Sequence, residues 1–375
     1  MNRPTRAEIH LDNLAFNFRS VKERIGDDVG YMAVVKADAY GHGAVRCAKT
    51  LESAGADWFA VALPEEGVEL RLSGIEKPIL CLGSFWVGQE NLILQNGLTP
   101  AVFRAEIAER LDRAAKERGV QVSAHVKIDT GMNRIGVRFD EIKDFAENLK
   151  KFENLRIDGL MTHFASADCD AEFTNLQIER FREAVEIFRE KGFRPKHLDM
   201  ANSPGALGYE KARGNMVRLG GVLYGLCEDV LPKDIEPPEL RQVMTLHTKI
   251  AFIKRVPPDE SIGYSRTYRT EKDSLIASIP IGYHDGYMRA FSNRARVIVN
   301  GTYAPVVGRI SMDWTLIDVT GVKNAQVGDE VVLIGESGGL RVTAEELASH
   351  CGTISYEVTC GINPRVPRIY REENA

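Results

Sequence analysis

Lys36 stands between a short apolar run and a segment of small residues, and this arrangement could support chemistry. The run 31–35 predicts a buried strand that ends at the lysine. Burial disfavours the charged form of an amine, so a lysine held partly away from water has a lowered pKa and can form a Schiff base. Tyr40, Gly41 and Gly43 would then line a site that a ligand approaches closely. A lysine at the rim of a parallel sheet, without a chemical role, fits the same segment.

The elements that would position Lys36 follow from a repeated pattern of apolar runs and amphipathic helices. One helix is predicted over 174–192, with a threonine start and a glycine stop. Strands that alternate with helices form a parallel sheet covered by helices. The apolar runs lie at 31–35, 58–62, 78–82, 100–103, 122–128, 157–163, 197–201 and 216–222.

Eight such units predict an α/β fold with an N-terminal (β/α)8 TIM-type barrel, assigned to residues 1–236. An open doubly wound sheet is the alternative. It has less support, because no Gly-x-Gly-x-x-Gly follows the first strand.

Chemistry in a (β/α)8 barrel takes place at the carboxyl ends of the strands, and unusual polar residues occur there in this sequence. Each is ambiguous alone: His163 could be a satisfied core histidine, and Ser203 a helix cap. Lys127 and Asp129 could be a solvated pair. Together they indicate a polar pocket above an apolar barrel. The residues concerned are Lys36, Lys127, Asp129, His163, Asn202, Ser203, Arg218, Gly220 and Gly221.

A phosphate site is predicted beside the lysine. The hydroxyl of Ser203 and the backbone amides at Gly220 and Gly221 are suited to holding a phosphate, and they follow the seventh and eighth strands. A lysine next to a phosphate site indicates pyridoxal 5'-phosphate (PLP), held as an imine on Lys36. A Schiff-base aldolase acting on a sugar phosphate is the other barrel enzyme that fits.

The pattern changes after a proline-rich stretch at 231–238, which is predicted to be a linker. Strands with few helices follow, so residues 237–375 are assigned to an all-β domain. Two segments of this domain, 262–268 and 281–287, are rich in tyrosine and glycine, and packing is the default explanation for each tyrosine. Packing explains the segment 309–314 less well, because charged Arg309 and Asp313 stand around Ser311 and Met312.

Composition excludes several other classes of protein. The 375 residues are 44% hydrophobic and 27% charged, which is ordinary for a globular protein. The net charge of −5 gives no indication of a nucleic acid or an anionic membrane as partner. The six cysteines lack metal-type spacing, so no metal site is predicted. Without a secretory signal or an apolar segment long enough to span a bilayer, a cytoplasmic protein with reduced thiols is expected.

Several motifs resemble, in order and over nearly the whole chain, those of the PLP-dependent alanine racemases. They are AVVKADAYGHG (33–43), KIDTGMNRIG (127–136), THFASAD (162–168), MVRLG (216–220), GY (263–264), IGY (281–283) and GRISMD (308–313). The resemblance implies an isomerase that interconverts L- and D-alanine and supplies D-alanine for the peptidoglycan of the cell wall.

The resemblance also implies a role for each matched position. Lys36 would carry PLP and act as one base, and Tyr264 would be the second base, supplied by the partner subunit of a head-to-tail homodimer. Arg134, Tyr283 and Met312 match substrate contacts, Arg134 also reaching the cofactor's phenol oxygen. Lys127 matches a lysine that is carbamylated in some members and holds that arginine. The implied cofactor contacts are Tyr40, His163, Asn202, Ser203, Arg218, Gly220 and Gly221, and the residues at the substrate entrance are Arg289, Arg309 and Asp313.

The chemistry of these residue types agrees with such roles. Racemisation removes the α-proton from one face and returns a proton to the other, which needs two bases. Both Lys36 and Tyr264 have ordinary pKa values near 10, so the site must lower at least one of them. Arg218, matched to the ring nitrogen of PLP, does not give up its proton and leaves that nitrogen largely unprotonated. A PLP ring with an unprotonated nitrogen withdraws electrons less strongly, which limits side reactions such as transamination.

Two positions depart from the pattern of some members. Pro364 is expected to replace a tyrosine whose hydroxyl reaches the phosphate, so that contact would be lost. Ser311 stands where other members have cysteine, so thiol-directed inactivation there is not expected.

Three alternatives remain open at this point. A broad-specificity or serine racemase of the same fold differs only in one or two side chains at the substrate entrance. A non-catalytic PLP-binding homeostasis protein resembles the barrel alone, and the second domain with Tyr264 argues against it. A PLP decarboxylase of basic amino acids also combines a barrel and a β domain, but the segments around Arg218 and Tyr264 fit it poorly.

Overall fold

After a first strand, β1 (Arg6–His10), eight parallel strands close into a barrel in the computed structural model, which describes residues 3–372. These strands, given in chain order with the two-residue β7, are β2 (Gly30–Val34), β3 (Trp58–Val61), β4 (Ile79–Cys81), β5 (Thr99–Val102), β6 (Val122–Asp129), β7 (Val137–Arg138), β8 (Leu155–Met161), β9 (His197–Asp199) and β10 (Met216–Leu219).

Hydrogen bonding follows the order β5-β4-β3-β2-β10-β9-β8-β6, and β5 pairs with β6 to close the ring, while β7 pairs only with β6. The strands are buried along most of their length, because one face points into the barrel and the other packs under helices. The predicted (β/α)8 barrel is confirmed, and each predicted apolar run overlaps one strand.

Helices cover the outside of the barrel. The longest begins at Ala171, where the Asp170 side chain accepts a hydrogen bond from the Phe173 amide at 2.9 Å. The predicted start at Thr174 is therefore wrong, because the cap is the aspartate four residues earlier and Thr174 is buried. The helices are Leu11–Ile25, Ala44–Ala54, Pro64–Leu72, Glu90–Gln95, Ala105–Glu117, Ile142–Leu149, Ala171–Glu190 and Ser203–Gly208.

The last third of the chain forms mostly strands, as predicted, with the two short helices Ala344–Ser349 and Ser355–Gly361. Thr343 caps the first of these helices by accepting a hydrogen bond from the Glu346 amide at 3.0 Å. The strands are β11 (Met244–Lys249), β12 (Phe252–Val256), β13 (Ser261–Ile262), β14 (Tyr268–Arg269), β15 (Ser274–Ile279), β16 (Arg296–Val299), β17 (Thr302–Pro305), β18 (Thr315–Asp318), β19 (Glu330–Ser337), β20 (Leu340–Val342) and β21 (Arg368–Arg371).

The main sheet of this domain incorporates the beginning of the chain. Its order is β17-β16-β19-β11-β1-β21, so β1 lies between two strands of the last third. Residues 6–10 therefore pair outside the barrel, although they fall within the 1–236 segment assigned to it. The boundary predicted between 236 and 237 lies in the irregular stretch before β11 and stays a prediction.

Among residues 3–372, the structure contains no helix that combines the length and the apolar character needed to cross a membrane.

Candidate active site

The lysine turn, which we define as Lys36–Gly41, follows one residue after β2. Its four central residues, Ala37 to Tyr40, all have positive φ, between 52 and 56°. Residues with a Cβ each lose about 1–2 kcal/mol in this left-handed conformation, so contacts outside the turn must hold it. The turn brings the side chains of Lys36 and Tyr40 into one pocket at the carboxyl end of the barrel strands.

Hydroxyl groups and backbone amides form a cradle beside the turn. The Gly220 amide donates to the Ser203 hydroxyl at 2.9 Å, and Asn202 fixes the start of the following helix by accepting from the Gly205 amide at 3.1 Å. A Cβ at Gly220 would lie 2.7 Å from the Tyr40 hydroxyl, so a larger residue would fill the cradle. Hydrogen-bond donors around an open space of this kind suit an anion such as phosphate.

Tyr356 completes the cradle, and it is absent from the residues predicted from sequence. Its ring centroid lies 5.4 Å from that of Tyr40, and its hydroxyl lies against Gly221, where a Cβ would clash with it. Tyr356 belongs to the helix Ser355–Gly361 of the second domain. No local pattern around it marks a site, so only the packing of the two domains reveals it.

The pocket around Lys36 has a volume of about 520 Å³ and is lined by both domains. Apart from Arg134, it contains every residue that the sequence analysis assigned to the cofactor. These residues are Lys36, Tyr40, His163, Asn202, Ser203, Arg218, Gly220 and Gly221.

Two lysines, the partly buried Lys36 and the buried Lys127, lie in the positive field of the site. Burial lowers the pKa of Lys36, and the charges of Arg134 and Arg218 lower it further. Burial also lowers the pKa of Lys127 to about 7, with Arg218 as the next largest cause, followed by Arg134 and Lys36. Both amines are therefore more readily deprotonated than an exposed lysine. Arg134 itself is exposed and lies outside the pocket lining, but its charge acts on both.

Arg218 is held by a buried carboxylate that the sequence analysis did not single out. Its guanidinium donates to the Asp199 side chain at 2.5 Å, to the Thr162 carbonyl at 2.8 Å and to Nδ1 of His163 at 3.1 Å. Because Arg218 can only donate, Nδ1 of His163 accepts, so the imidazole is neutral. Burial and then the charge of Arg218 lower the pKa of His163 well below its usual range.

The predicted residues of the second domain form a separate group and lie outside the lining of this pocket in the described chain. Tyr264 is 69% exposed, and Tyr283 and Met312 are also exposed. The segments of Tyr283 and Met312 are joined directly, since the amides of Tyr283 and His284 donate to the carbonyls of Ser311 and Met312 at 3.0 and 3.1 Å.

The three predicted entrance residues belong to the same domain. Arg289 is exposed, whereas Arg309 is partly buried and its Nε has no hydrogen-bond partner among the described residues. Asp313 pairs with Arg365 at 2.6 Å. Arg365 also reaches the buried Asp285, so this ion-pair network links the segments of Met312 and Tyr283.

Comparison with known proteins accounts for both domains. Residues 9–228 match the family model described as alanine racemase, N-terminal domain, and residues 243–370 match the C-terminal domain model. The chain belongs to the alanine racemase family. The alanine racemase of Halothermothrix orenii is 44% identical over 100% of this chain and 98% of its own length. That of a Geobacter species (strain M21) is also 44% identical, over 98% of this chain and 99% of its own.

Solved structures of alanine racemases have the same fold. The enzyme from Clostridium difficile 630 superposes with a TM-score of 0.93 at 39% identity, covering 100% of this chain and 97% of that one. The enzyme from Bacillus anthracis, solved with bound L-Ala-P, gives a TM-score of 0.91 at 36% identity, with 99% and 96% covered. The enzyme from Bartonella henselae, solved with covalently bound pyridoxal phosphate, gives 0.88 at 28% identity, with 98% and 99% covered.

Within the alanine racemase framework, the structure corrects the expectation made for Pro364. That residue is exposed and lies outside the pocket lining of the described chain. A tyrosine hydroxyl is nevertheless present in the cradle, because Tyr356 supplies it from eight residues earlier. The pocket therefore does not lack a tyrosine hydroxyl, contrary to the expectation made for Pro364.

Proposed function

We propose that this protein is an alanine racemase that interconverts L- and D-alanine with PLP and supplies D-alanine for peptidoglycan synthesis. The observation that carries the proposal is the pocket of Lys36, in which an amine with a lowered pKa faces a cradle for an anion. A cytoplasmic location is part of the proposal, and the six cysteines, all free, are consistent with a reducing compartment.

The donors of the pocket fit PLP. Tyr40, Ser203, Tyr356 and the amides of Gly220 and Gly221 would hold its phosphate, and the space that a Cβ would fill at both glycines is the cradle itself. Arg218 would face the ring nitrogen and His163 would lie beside the ring. When bound, PLP would supply an electron-withdrawing ring, which makes the α-hydrogen of an amino acid acidic once that amino acid has displaced Lys36 from the cofactor and left the Lys36 amine free.

Two bases on opposite faces would exchange that hydrogen. Lys36 serves one face, and its lowered pKa raises the fraction of neutral amine available near pH 7. Tyr264 serves the other face. Because Tyr264 is exposed and outside the pocket of its own chain, we infer that the partner subunit supplies it.

Arg218 sets the strength of the electron sink. A guanidinium keeps its own proton, so Arg218 would leave a cofactor nitrogen beside it largely unprotonated. The buried Asp199 and the Thr162 carbonyl fix the orientation of the guanidinium. By keeping that nitrogen unprotonated, Arg218 would limit side reactions such as transamination.

The remaining predicted residues would recognise alanine and its path of entry. Arg134 would hold the substrate carboxylate, supported by Lys127, whose pKa near 7 leaves a neutral amine able to react with carbon dioxide. The amide of Met312 and the side chain of Tyr283 would contact the substrate from the partner subunit. Arg289, Arg309 and Asp313 would line the entrance.

A head-to-tail homodimer would bring these two groups together. Large apolar side chains are exposed on both sides of the expected contact, which is costly in an isolated chain. Leu63, Trp86 and Val87 lie on the loops that follow β3 and β4, and Tyr264, Tyr283, Met312 and Trp314 lie on the second domain.

The test is the optical rotation of L-alanine over time, with purified protein and added PLP. We expect decay to zero for the wild type, no decay for Lys36→Ala, and a rate lowered by about 10²–10⁴-fold for Tyr264→Phe. Tyr268→Phe, on β14, which pairs with β13 just before Tyr264, is the matched control and should racemise at the wild-type rate.

Three other results would each contradict a different part of the proposal. A yellow protein that racemises serine rather than alanine would keep the mechanism and change the substrate. A yellow protein that racemises neither would indicate a PLP carrier without turnover. Wild-type racemisation by Lys36→Ala would remove the PLP-lysine mechanism altogether.

A further inference from the structure

We propose that His42 is a positioning residue, whose ring holds the lysine turn in its left-handed form and thereby places Lys36 and Tyr40. The catalytic meaning of this inference rests on the racemase function proposed above. The inference itself concerns the conformation of the turn and can be measured without turnover.

The hydrogen bonds of His42 point back into the turn. Its Nδ1 lies 2.9 Å from the Ala39 carbonyl and 3.0 Å from the Tyr40 carbonyl. Carbonyl oxygens only accept, so the hydrogen is assigned to Nδ1 and is shared between them. These are the carbonyls of the last two left-handed residues, and one ring therefore fixes the end of the turn that carries Tyr40.

The ring is immobilised on the strand that leads into the turn. His42 is 1% exposed and stacks on Tyr224, with centroids 4.6 Å apart and planes at 30°. The Tyr224 hydroxyl donates to the Val34 carbonyl at 2.9 Å, and Val34 is the last residue of β2. The end of the strand and the end of the turn are thus tied through two stacked rings.

The end of the turn and the residues just after it pack closely against the second domain. At Gly41 a Cβ would overlap the Thr359 carbonyl, and at Gly43 it would overlap the Tyr370 ring. On the other side, the Tyr40 hydroxyl lies close to Gly220. A small rotation of the turn would therefore move Tyr40 out of the cradle and Lys36 with it.

His42 acts as a fixed donor. Burial lowers the pKa of its imidazole to about 4, so the ring is neutral throughout the neutral range. Its loss would leave two buried carbonyls without this donor, which costs more than the loss of a solvent-exposed hydrogen bond.

Three substitutions of His42 test whether the turn depends on its Nδ1 donor or on its aromatic ring. His42→Asn places an amide nitrogen near the Nδ1 position, His42→Gln places one near Nε2, and His42→Phe keeps an aromatic ring without a donor. We expect Phe and Gln to raise the PLP dissociation constant, measured by absorbance titration of the apoprotein, by about 10- to 100-fold. His42→Asn should keep most of the wild-type affinity for PLP.

Amide hydrogen exchange of the peptide covering 36–44 provides a readout that needs neither PLP nor alanine. Exchange should be faster in His42→Phe and His42→Gln than in the wild type and in His42→Asn. Leu111→Ala, in a buried position of the helix Ala105–Glu117, controls for general loss of stability. At a comparable drop in Tm it should leave both the exchange of this peptide and PLP affinity unchanged.

Equal exchange of this peptide in wild type and His42→Phe would overturn the inference, whatever the activity. So would equal behaviour of Asn and Gln, because the donor position would then be irrelevant. If the wild type failed to racemise alanine but these differences appeared, the proposed function would fail while the role of His42 in the turn would stand.

Discussion

The buried ion pair between Arg218 and Asp199 concentrates two charges in the interior of the barrel. Both side chains are almost fully buried, and they lie 2.5 Å apart. One carboxylate oxygen of Asp199 has no partner among the described residues, so the arginine is its main compensation. Burying either charge alone would be far more costly than burying the pair.

We therefore expect Asp199→Asn to lower the free energy of unfolding by about 3–5 kcal/mol, because Arg218 would keep its charge without a counter-ion. Urea denaturation measures this change. The control is Asp158→Asn, which breaks a 2.6 Å pair with the largely exposed Arg156 and should cost less than about 1 kcal/mol. Equal losses in the two variants would contradict the argument.

Lys127 provides a prediction about pH. Its pKa is about 7 in the folded protein, whereas the unfolded chain keeps the proton up to about pH 10. Between these values the unfolded state binds more protons, so stability rises with pH, and below pH 7 the cost of burying the charge is fully present.

Relative to Lys127→Met, wild-type stability should increase by about 1.4 kcal/mol per pH unit above pH 7. Urea denaturation of the apoprotein in carbonate-free buffer at pH 6 to 9 measures the difference, since a carbamate on Lys127 would change the titrating group. Parallel pH curves for the two proteins would show that Lys127 does not titrate in this range.

At the level of elements, the lysine turn depends on Glu66 as well as on His42. One oxygen of the Glu66 carboxylate accepts from the Ala37 amide at 2.6 Å, and the other accepts from the amides of Ala62 and Leu63 at 2.7 and 3.1 Å. The carboxylate thus joins the start of the turn to the end of β3.

Glu66→Gln replaces one of these acceptors with an amide nitrogen that cannot accept. We expect the free energy of unfolding to fall by about 1–3 kcal/mol and PLP to bind more weakly, because the first amide of the turn or those after β3 lose their partner. The neighbouring exposed Glu65→Gln should change neither quantity. A stability loss without any change in PLP affinity would separate Glu66 from the placement of Lys36.

The sequence predicts the strands of the barrel well and the lysine turn not at all. Buried parallel strands consist of apolar residues, so runs such as 58–62 and 122–128 lie on β3 and β6 with small errors at the ends. The turn has no such pattern, because its four residues with positive φ depend on contacts outside the turn, such as the hydrogen bond between the Ala37 amide and the Glu66 carboxylate. Tyr356 and Asp199 were missed for a related reason, since their partners lie far away in sequence.

Across the whole molecule, residues that belong to the same domain are not contiguous in the sequence. β1 pairs with β11 and β21, and no local pattern could predict a strand between partners from the opposite end of the chain. Residues near both termini thus join the second domain, and that domain contributes Tyr356 to the pocket of Lys36. The second proposed base, Tyr264, is left exposed on the same domain, and this exposure argues for a second copy of the chain.

A mixture of two inactive variants tests this arrangement. If each site combines Lys36 of one subunit with Tyr264 of its partner, a dimer of Lys36→Ala and Tyr264→Phe chains contains one intact site and one doubly altered site. Random exchange of subunits makes about half of the dimers mixed, so activity should recover to about one quarter of the wild-type value. Each variant alone, treated identically, is the control. If both residues belonged to one chain, every site in the mixture would lack one base and activity would not recover.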